Sequence, residues 1–278
     1  MPETGHMTDT TVTSADGTEI AFERLGSGPA VILVASALAD RSDARRLARL
    51  LAAAGRTVIN YDRRGRGASG DAAGYAVERE IEDIAALIGH AGGPAALFGS
   101  SSGAVLALRA AAAGLDVERL ALYEPPFAVD ASGFGPPEGF GDRIGALLER
   151  GEHGRAVKAF MTEAQGMPAL MVNAMRLIPG PWAAMKGMAR TLPYDIAVMG
   201  DTQRGRPLDP AEWSSAACPA LVLTGGKSPA GFHAAARALA EVLPDAEHRT
   251  LPGLNHGAVA MAPKRLAPAL SAFLSGGR

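Results

Sequence analysis

The chain begins with two short segments of alternating character, Thr11-Val12-Thr13 and Ile20-Ala21-Phe22, on either side of Asp16-Gly17. Alternation around such a dipeptide predicts a β-hairpin. The pattern then changes. Residues 30–34, 57–61, 95–98, 120–123 and 220–224 are short, nearly continuous apolar runs. Such runs predict strands buried on both faces. A last strand is predicted over 248–251. Between these runs, residues 44–54, 77–88, 103–113, 230–243 and 263–274 have apolar positions at helical spacing. Regular alternation of strand and helix predicts a mostly parallel sheet with helices on both faces.

The rhythm breaks between about residues 127 and 210. That stretch has a Gly/Pro-rich segment (133–141) and helical patterns at 142–149 and 156–164, with no convincing strand. We therefore expect an α/β core formed by residues 8–127 and 211–278, interrupted by a helical insertion at 128–210.

Composition narrows the classes of function. The chain has 278 residues, 47% hydrophobic and 20% charged, with a net charge of −2. No concentrated positive field is available for nucleic acid or an anionic membrane surface. The single cysteine, Cys218, allows no intrachain disulfide and no multi-cysteine metal site. No run approaches the roughly 18 apolar residues of a membrane span, and Met1–Thr10 lacks a signal pattern. Gly5-His6-Met7 reads as a vector remnant. A cytoplasmic location is expected.

Candidate chemistry lies at the predicted strand ends. Gly99-Ser100-Ser101-Ser102-Gly103 follows the strand at 95–98 and precedes a helix. Taken alone, the pentapeptide fits a plain Gly/Ser loop. Between a buried strand and a helix it fits G-x-S-x-G, in which a sharp turn presents the central serine and small neighbours allow the turn. Only Ser101 has glycine at both −2 and +2. Ser100 and Ser102 read as small residues the turn tolerates; only a backbone N–H is asked of Ser102. Of six histidines, His256 is best placed, in Leu254-Asn255-His256-Gly257 just beyond the last strand. Ligands bind along the C-terminal strand edge in open α/β sheets. His90, His153, His233 and His248 fall within or beside regular elements and read as structural or solvated.

The strand–turn–helix around Ser101, the run Tyr61-Asp62-Arg63-Arg64-Gly65-Arg66-Gly67-Ala68-Ser69 and the terminal Gly253-Leu254-Asn255-His256 together resemble the α/β-hydrolase fold superfamily, in particular its small capped esterase- and lactonase-like members. The resemblance covers nearly the whole chain from about Thr11. It implies an eight-stranded-type sheet and a helical cap at the insertion. It also implies a nucleophile at Ser101, a base at His256 and a carboxylate that orients the imidazole. The usual place for that acid, after the strand at 220–224, reads Gly225-Gly226-Lys227-Ser228-Pro229. No Asp or Glu occurs between Pro219 and Ala240. Other members carry the acid one strand earlier, which here is Glu124; Asp201, in the insertion, is the reserve. By the same resemblance the oxyanion hole takes the N–H groups of Ser102 and Ala37, although the usual His-Gly is Ala35-Ser36 here.

Methionines crowd the insertion: Met161, Met167, Met171, Met175, Met185, Met188 and Met199, with Trp182 among them. Methionine at helical spacing often serves packing, yet adaptable thioethers also suit an apolar pocket. Met171, Met175 and Trp182 are the expected substrate contacts. The reading is a serine hydrolase for a small or medium apolar ester, lactone or thioester, using no cofactor or metal. Its rivals are a non-hydrolytic protein on the same fold, binding a ligand or acting as cyclase or lyase, and a cofactor-free haloperoxidase-like enzyme.

Overall fold

A computed structural model describes residues 9–276. Gly5-His6-Met7 lies outside the described residues. Eight strands form one sheet: β1 (Asp9–Thr13), β2 (Glu19–Leu25), β3 (Ala30–Val34), β4 (Thr57–Tyr61), β5 (Ala95–Ser100), β6 (Val117–Tyr123), β7 (Ala220–Gly225) and β8 (Ala246–Leu251). Their order is β1-β2-β4-β3-β5-β6-β7-β8. The first hairpin pairs antiparallel, and β3 to β8 are parallel.

Each central strand feeds two cores, because successive side chains point to opposite faces. Ile32, Leu97, Leu122 and Val222 pack on one side with α2 (Val77–Ala91), α3 (Ser102–Ala112) and α10 (Ala230–Val242). Val31, Phe98, Ala121 and Leu223 pack on the other side with α1 (Arg41–Ala53) and α11 (Pro263–Leu274). That is why these strands read as continuous apolar runs. Burial of each of the valine, leucine, isoleucine and phenylalanine side chains contributes about 1.5–3 kcal/mol.

Between β6 and β7 lie α4 (Phe140–Glu149), α5 (His153–Ala159), α6 (Ala169–Met175), α7 (Pro179–Met188), α8 (Leu192–Met199) and the single turn α9 (Pro210–Trp213). The pattern at 156–164 holds as helix, but its second half opens into a π-helical turn, Phe160–Ala164. A third cluster, including Phe140, Ile144, Val157, Phe160, Trp182 and Leu192, packs these helices together and over Ala37 and Leu38 of the β3 loop. Among the described residues, no helix is long and apolar enough to cross a membrane.

The remaining differences are at element ends. Helix α1 starts at Arg41, earlier than its apolar pattern, because the Asp40 side chain accepts the Ser42 N–H at 2.8 Å. That cap satisfies an otherwise orphaned donor. The polar Val117-Glu118-Arg119 start of β6 is only partly buried, so it carries no apolar signal.

Candidate active site

The turn from β5 to α3 is set by sterics. A Cβ at Gly99 would lie 2.2 Å from the Gly103 carbonyl oxygen. One at Gly103 would lie 2.4 Å from that of Val34. Both positions therefore exclude a side chain, and helix α3 closes tightly on the sheet. Ser101 between them takes φ 53° and ψ −127°, outside the ordinary regions for a non-glycine residue. Its N–H donates to Tyr123 O at 2.9 Å, and its carbonyl accepts from Ala104 N at 2.9 Å.

Beside it, Glu124 directly follows β6 and is fully buried with φ 51°. Its two carboxylate oxygens are both used. Oε1 accepts the Gly225 N–H at 2.6 Å, and Oε2 lies 2.8 Å from His256 Nδ1. A buried carboxylate that accepts two such bonds is held in one orientation. An ionised carboxylate only accepts, so Nδ1 carries the hydrogen and Nε2 is left as the basic nitrogen. The histidine ring is itself held. Phe232 stacks on it with centroids 4.6 Å apart, and Tyr123 Oη donates to the neighbouring Asn255 carbonyl at 2.7 Å.

Glu124 and His256 are therefore brought together. A Cβ at Gly225 would sit 2.5 Å from the Leu254 backbone, so position 225 itself admits no side chain. It supplies a donor to Glu124 instead. Asp201 is exposed and paired with Arg204 and Arg206; it takes no part here.

Among the described residues, three non-glycine residues have positive φ: Leu38, Ser101 and Glu124. Each such conformation costs on the order of 1–3 kcal/mol, and such strain collects at functional sites. Here one sits in the loop after β3, one at the β5 turn and one at the β6 end, all on the C-terminal edge of the sheet. Ser101 and His256 both border a cavity of about 620 Å³. Its walls include Val34, Phe98, Met161, Met167, Met171 and Met175, with Asp40, Asp43 and Lys227 as charged side chains.

A model of the alpha/beta hydrolase family matches residues 29–269. The chain belongs to the alpha/beta hydrolase family. It is 50% identical to an alpha/beta hydrolase from Sphaerobacter thermophilus DSM 20745, over 95% of this chain and 100% of that one, with a TM-score of 0.88. The uncharacterized hydrolase YraK of Bacillus subtilis (strain 168) is 40% identical over 96 residues. That match covers 33% of this chain and 35% of YraK, about a third of the relative's length. A thermophilic esterase from Thermogutta terrifontis shares the fold, with a TM-score of 0.71 at 24% identity over 97% of this chain and 98% of that one.

One expected contact of this alpha/beta hydrolase falls elsewhere. Trp182 lies outside the cavity that holds Ser101. It is turned into the helical core, close to Gly154, and borders a separate surface cavity with Arg155, Lys158 and Arg176. A large aromatic face is worth most in the centre of a small helical core, and α7 delivers it there. Met171 and Met175 do line the Ser101 cavity. Replacing either with Ala is expected to raise KM for a long acyl chain about three- to tenfold and to leave acetate nearly unchanged. This corresponds to losing about 1 kcal/mol of apolar contact. A p-nitrophenyl ester series checks it, and uniform changes along the series would return both residues to packing.

A buried ionic network that no sequence pattern announces lies next to Ser101. The Ser102 hydroxyl is more than a small group the turn tolerates: it donates to Asp195 Oδ1, on α8, at 2.8 Å. Arg63 Nη1 donates to the same oxygen and Arg66 Nη2 to Oδ2, both at 2.7 Å. Residues 93 and more positions apart meet here, and no local pattern announces it. Burial pushes the Asp195 carboxyl up, but the guanidiniums of Arg66 and Arg63 outweigh that and hold it below the usual range. Because the folded state holds that proton less readily than the unfolded chain, the contribution is complete above the unfolded value of about 3.9. It fades as pH falls toward the folded value. Asp195→Asn is thus expected to lower Tm at pH 7, with the gap from wild type narrowing below about pH 4. Melting curves across pH 3–7 check this; a constant gap would contradict it.

Proposed function

We propose that this alpha/beta hydrolase is a serine hydrolase that cleaves a small to medium apolar ester, lactone or thioester through an acyl-enzyme. The observation that carries the reading is the 2.8 Å contact between His256 Nδ1 and the buried Glu124, with His256 and Ser101 on the wall of one apolar cavity. Ser101 Oγ attacks the acyl carbon as its proton passes to His256 Nε2. The imidazolium then protonates the leaving alcohol or thiol. Water attacks the acyl-enzyme by the same route in reverse, with His256 again as base, and frees the acid and Ser101. Glu124 orients the ring and stabilises its charged form. The oxyanion is received by the N–H groups of Ser102 and Ala37. Ser102 lies in the first turn of α3, whose free N–H groups and dipole favour negative charge.

Residues 128–210 act in this reading as the cap. They contribute Met161, Met167, Met171 and Met175 to the cavity, and its volume is within the range of ~300–1,000 Å³ for small-molecule sites. A panel of p-nitrophenyl esters from acetate to decanoate, with aliphatic lactones beside them, tests the reading. Turnover is expected, with kcat/KM rising from acetate to a medium chain. Folded protein that turns over none of them would favour a non-hydrolytic use of the site.

A further inference from the structure

We infer that Asp195 is a positioning residue that holds the two halves of the oxyanion site in register. This rests on the hydrolase reading above. The carboxylate comes from α8 and is 1% exposed. Its donors come from two other parts of the fold: Ser102 from the start of α3, and Arg63 and Arg66 from the turn after β4.

The arginines carry the connection onward. Arg66 Nη1 donates to the carbonyls of Ser36 at 2.6 Å and Ala39 at 3.3 Å. Arg63 Nη1 donates to that of Ala35 at 3.2 Å. These three carbonyls flank Ala37, in a loop that carries the strained Leu38. The Ser36 carbonyl shares its peptide plane with the Ala37 N–H, so pinning it aims that N–H, while the Ala35 and Ala39 carbonyls hold the loop before and after it. At the same time the Ser102 hydroxyl fixes the residue that offers the other N–H. One buried carboxylate is thus common to both donors.

The surroundings keep this carboxylate in place without leaving net negative charge under the oxyanion. Arg63 is clamped on its far side by Glu80, through Nε at 2.6 Å and Nη2 at 2.7 Å. Two guanidiniums face two carboxylates. Tyr75 Oη donates to Glu80 at 2.7 Å, and its ring stacks on Tyr194, the neighbour of Asp195, at 4.0 Å. Asp195 also borders a small cavity of about 30 Å³ shared with Ser101, Ser102 and His256. Well-packed apolar groups would stabilise such a junction as effectively as buried ions. Directional bonds add fixed geometry, and oxyanion donors demand it.

The test uses the full chain with Ser102→Ala and Asp195→Asn. Ser102→Ala removes one hydroxyl and leaves the ion pairs intact, so it carries the test alone if the second variant does not fold. Active sites are counted by fluorophosphonate titration. Per active site, kcat on a p-nitrophenyl ester is expected to fall about tenfold for Ser102→Ala and about thirtyfold for Asp195→Asn, with KM within about twofold. Inhibition by a trifluoromethyl ketone, whose serine adduct loads the oxyanion site, should weaken by the same factors. Inhibition by the matching methyl ketone should not change. A lowered Tm with unchanged kcat and ketone affinities would overturn the inference and leave the hydrolase reading standing. Equal weakening of both ketones would also overturn it, by placing the effect in the pocket. Wild type that neither turns over ester nor reacts with the fluorophosphonate would overturn both.

Discussion

Ser101→Ala is expected to lower kcat for ester cleavage by on the order of 10⁴-fold or more. The positive φ at Ser101 is enforced by two glycines with no space for a Cβ, so Ala at 101 adopts the same turn and loses only Oγ. Oxyanion donors and cavity survive, so binding changes little and KM should stay within a few-fold. The whole loss then falls on the chemical step, as expected for a group used only in reaction. Ser100→Ala, the internal control, should stay within about tenfold, because Ser100 ends β5 and lacks the positive φ that sets Ser101 at the turn. Steady-state kinetics on one p-nitrophenyl ester checks both. Equal losses at Ser100 and Ser101 would remove the special role of the turn.

Glu124→Gln is expected to cost at least about 10²-fold in kcat. The side chain keeps its size, and its amide oxygen can still accept the Gly225 N–H now 2.6 Å from Oε1. The amide group then faces His256 Nδ1 with a donor. That pairing favours hydrogen on Nε2, the wrong nitrogen for taking the serine proton, and removes the negative charge that stabilises the imidazolium. Related triads lose about 10⁴-fold for such a change; a substituting water makes the loss smaller. KM should move little. A Glu124→Gln variant within threefold of wild type in kcat would show that the carboxylate does not serve the base.

Much of this fold was legible in the chain, for a physical reason. Parallel strands buried on both faces have no alternative to continuous apolar sequence, so β3 and β4 fall where their patterns place them. The glycines of the Ser101 turn were legible because sterics leave no substitute. Glu124 was reached through the absence of any Asp or Glu between Pro219 and Ala240. What remained hidden depends on distance in the chain. Trp182 has the composition of a pocket residue, and only the packing of α7 turns it into the helical core. Ser102 and Asp195 are unremarkable polar residues until α8 lies over α3. The π-helical turn at Phe160–Ala164 likewise follows from packing, since its sequence carries an ordinary helical pattern.

The central claim is that Ser101 is a nucleophile activated by His256. Intact mass and peptide mapping after treatment with a fluorophosphonate test it most directly, because the reagent phosphonylates activated serines whatever the natural substrate is. The account predicts one adduct per chain, located on Ser101, lost in Ser101→Ala and formed far more slowly in His256→Ala. Folded wild-type protein that takes up no reagent, or that is labelled at a serine other than Ser101, would contradict it.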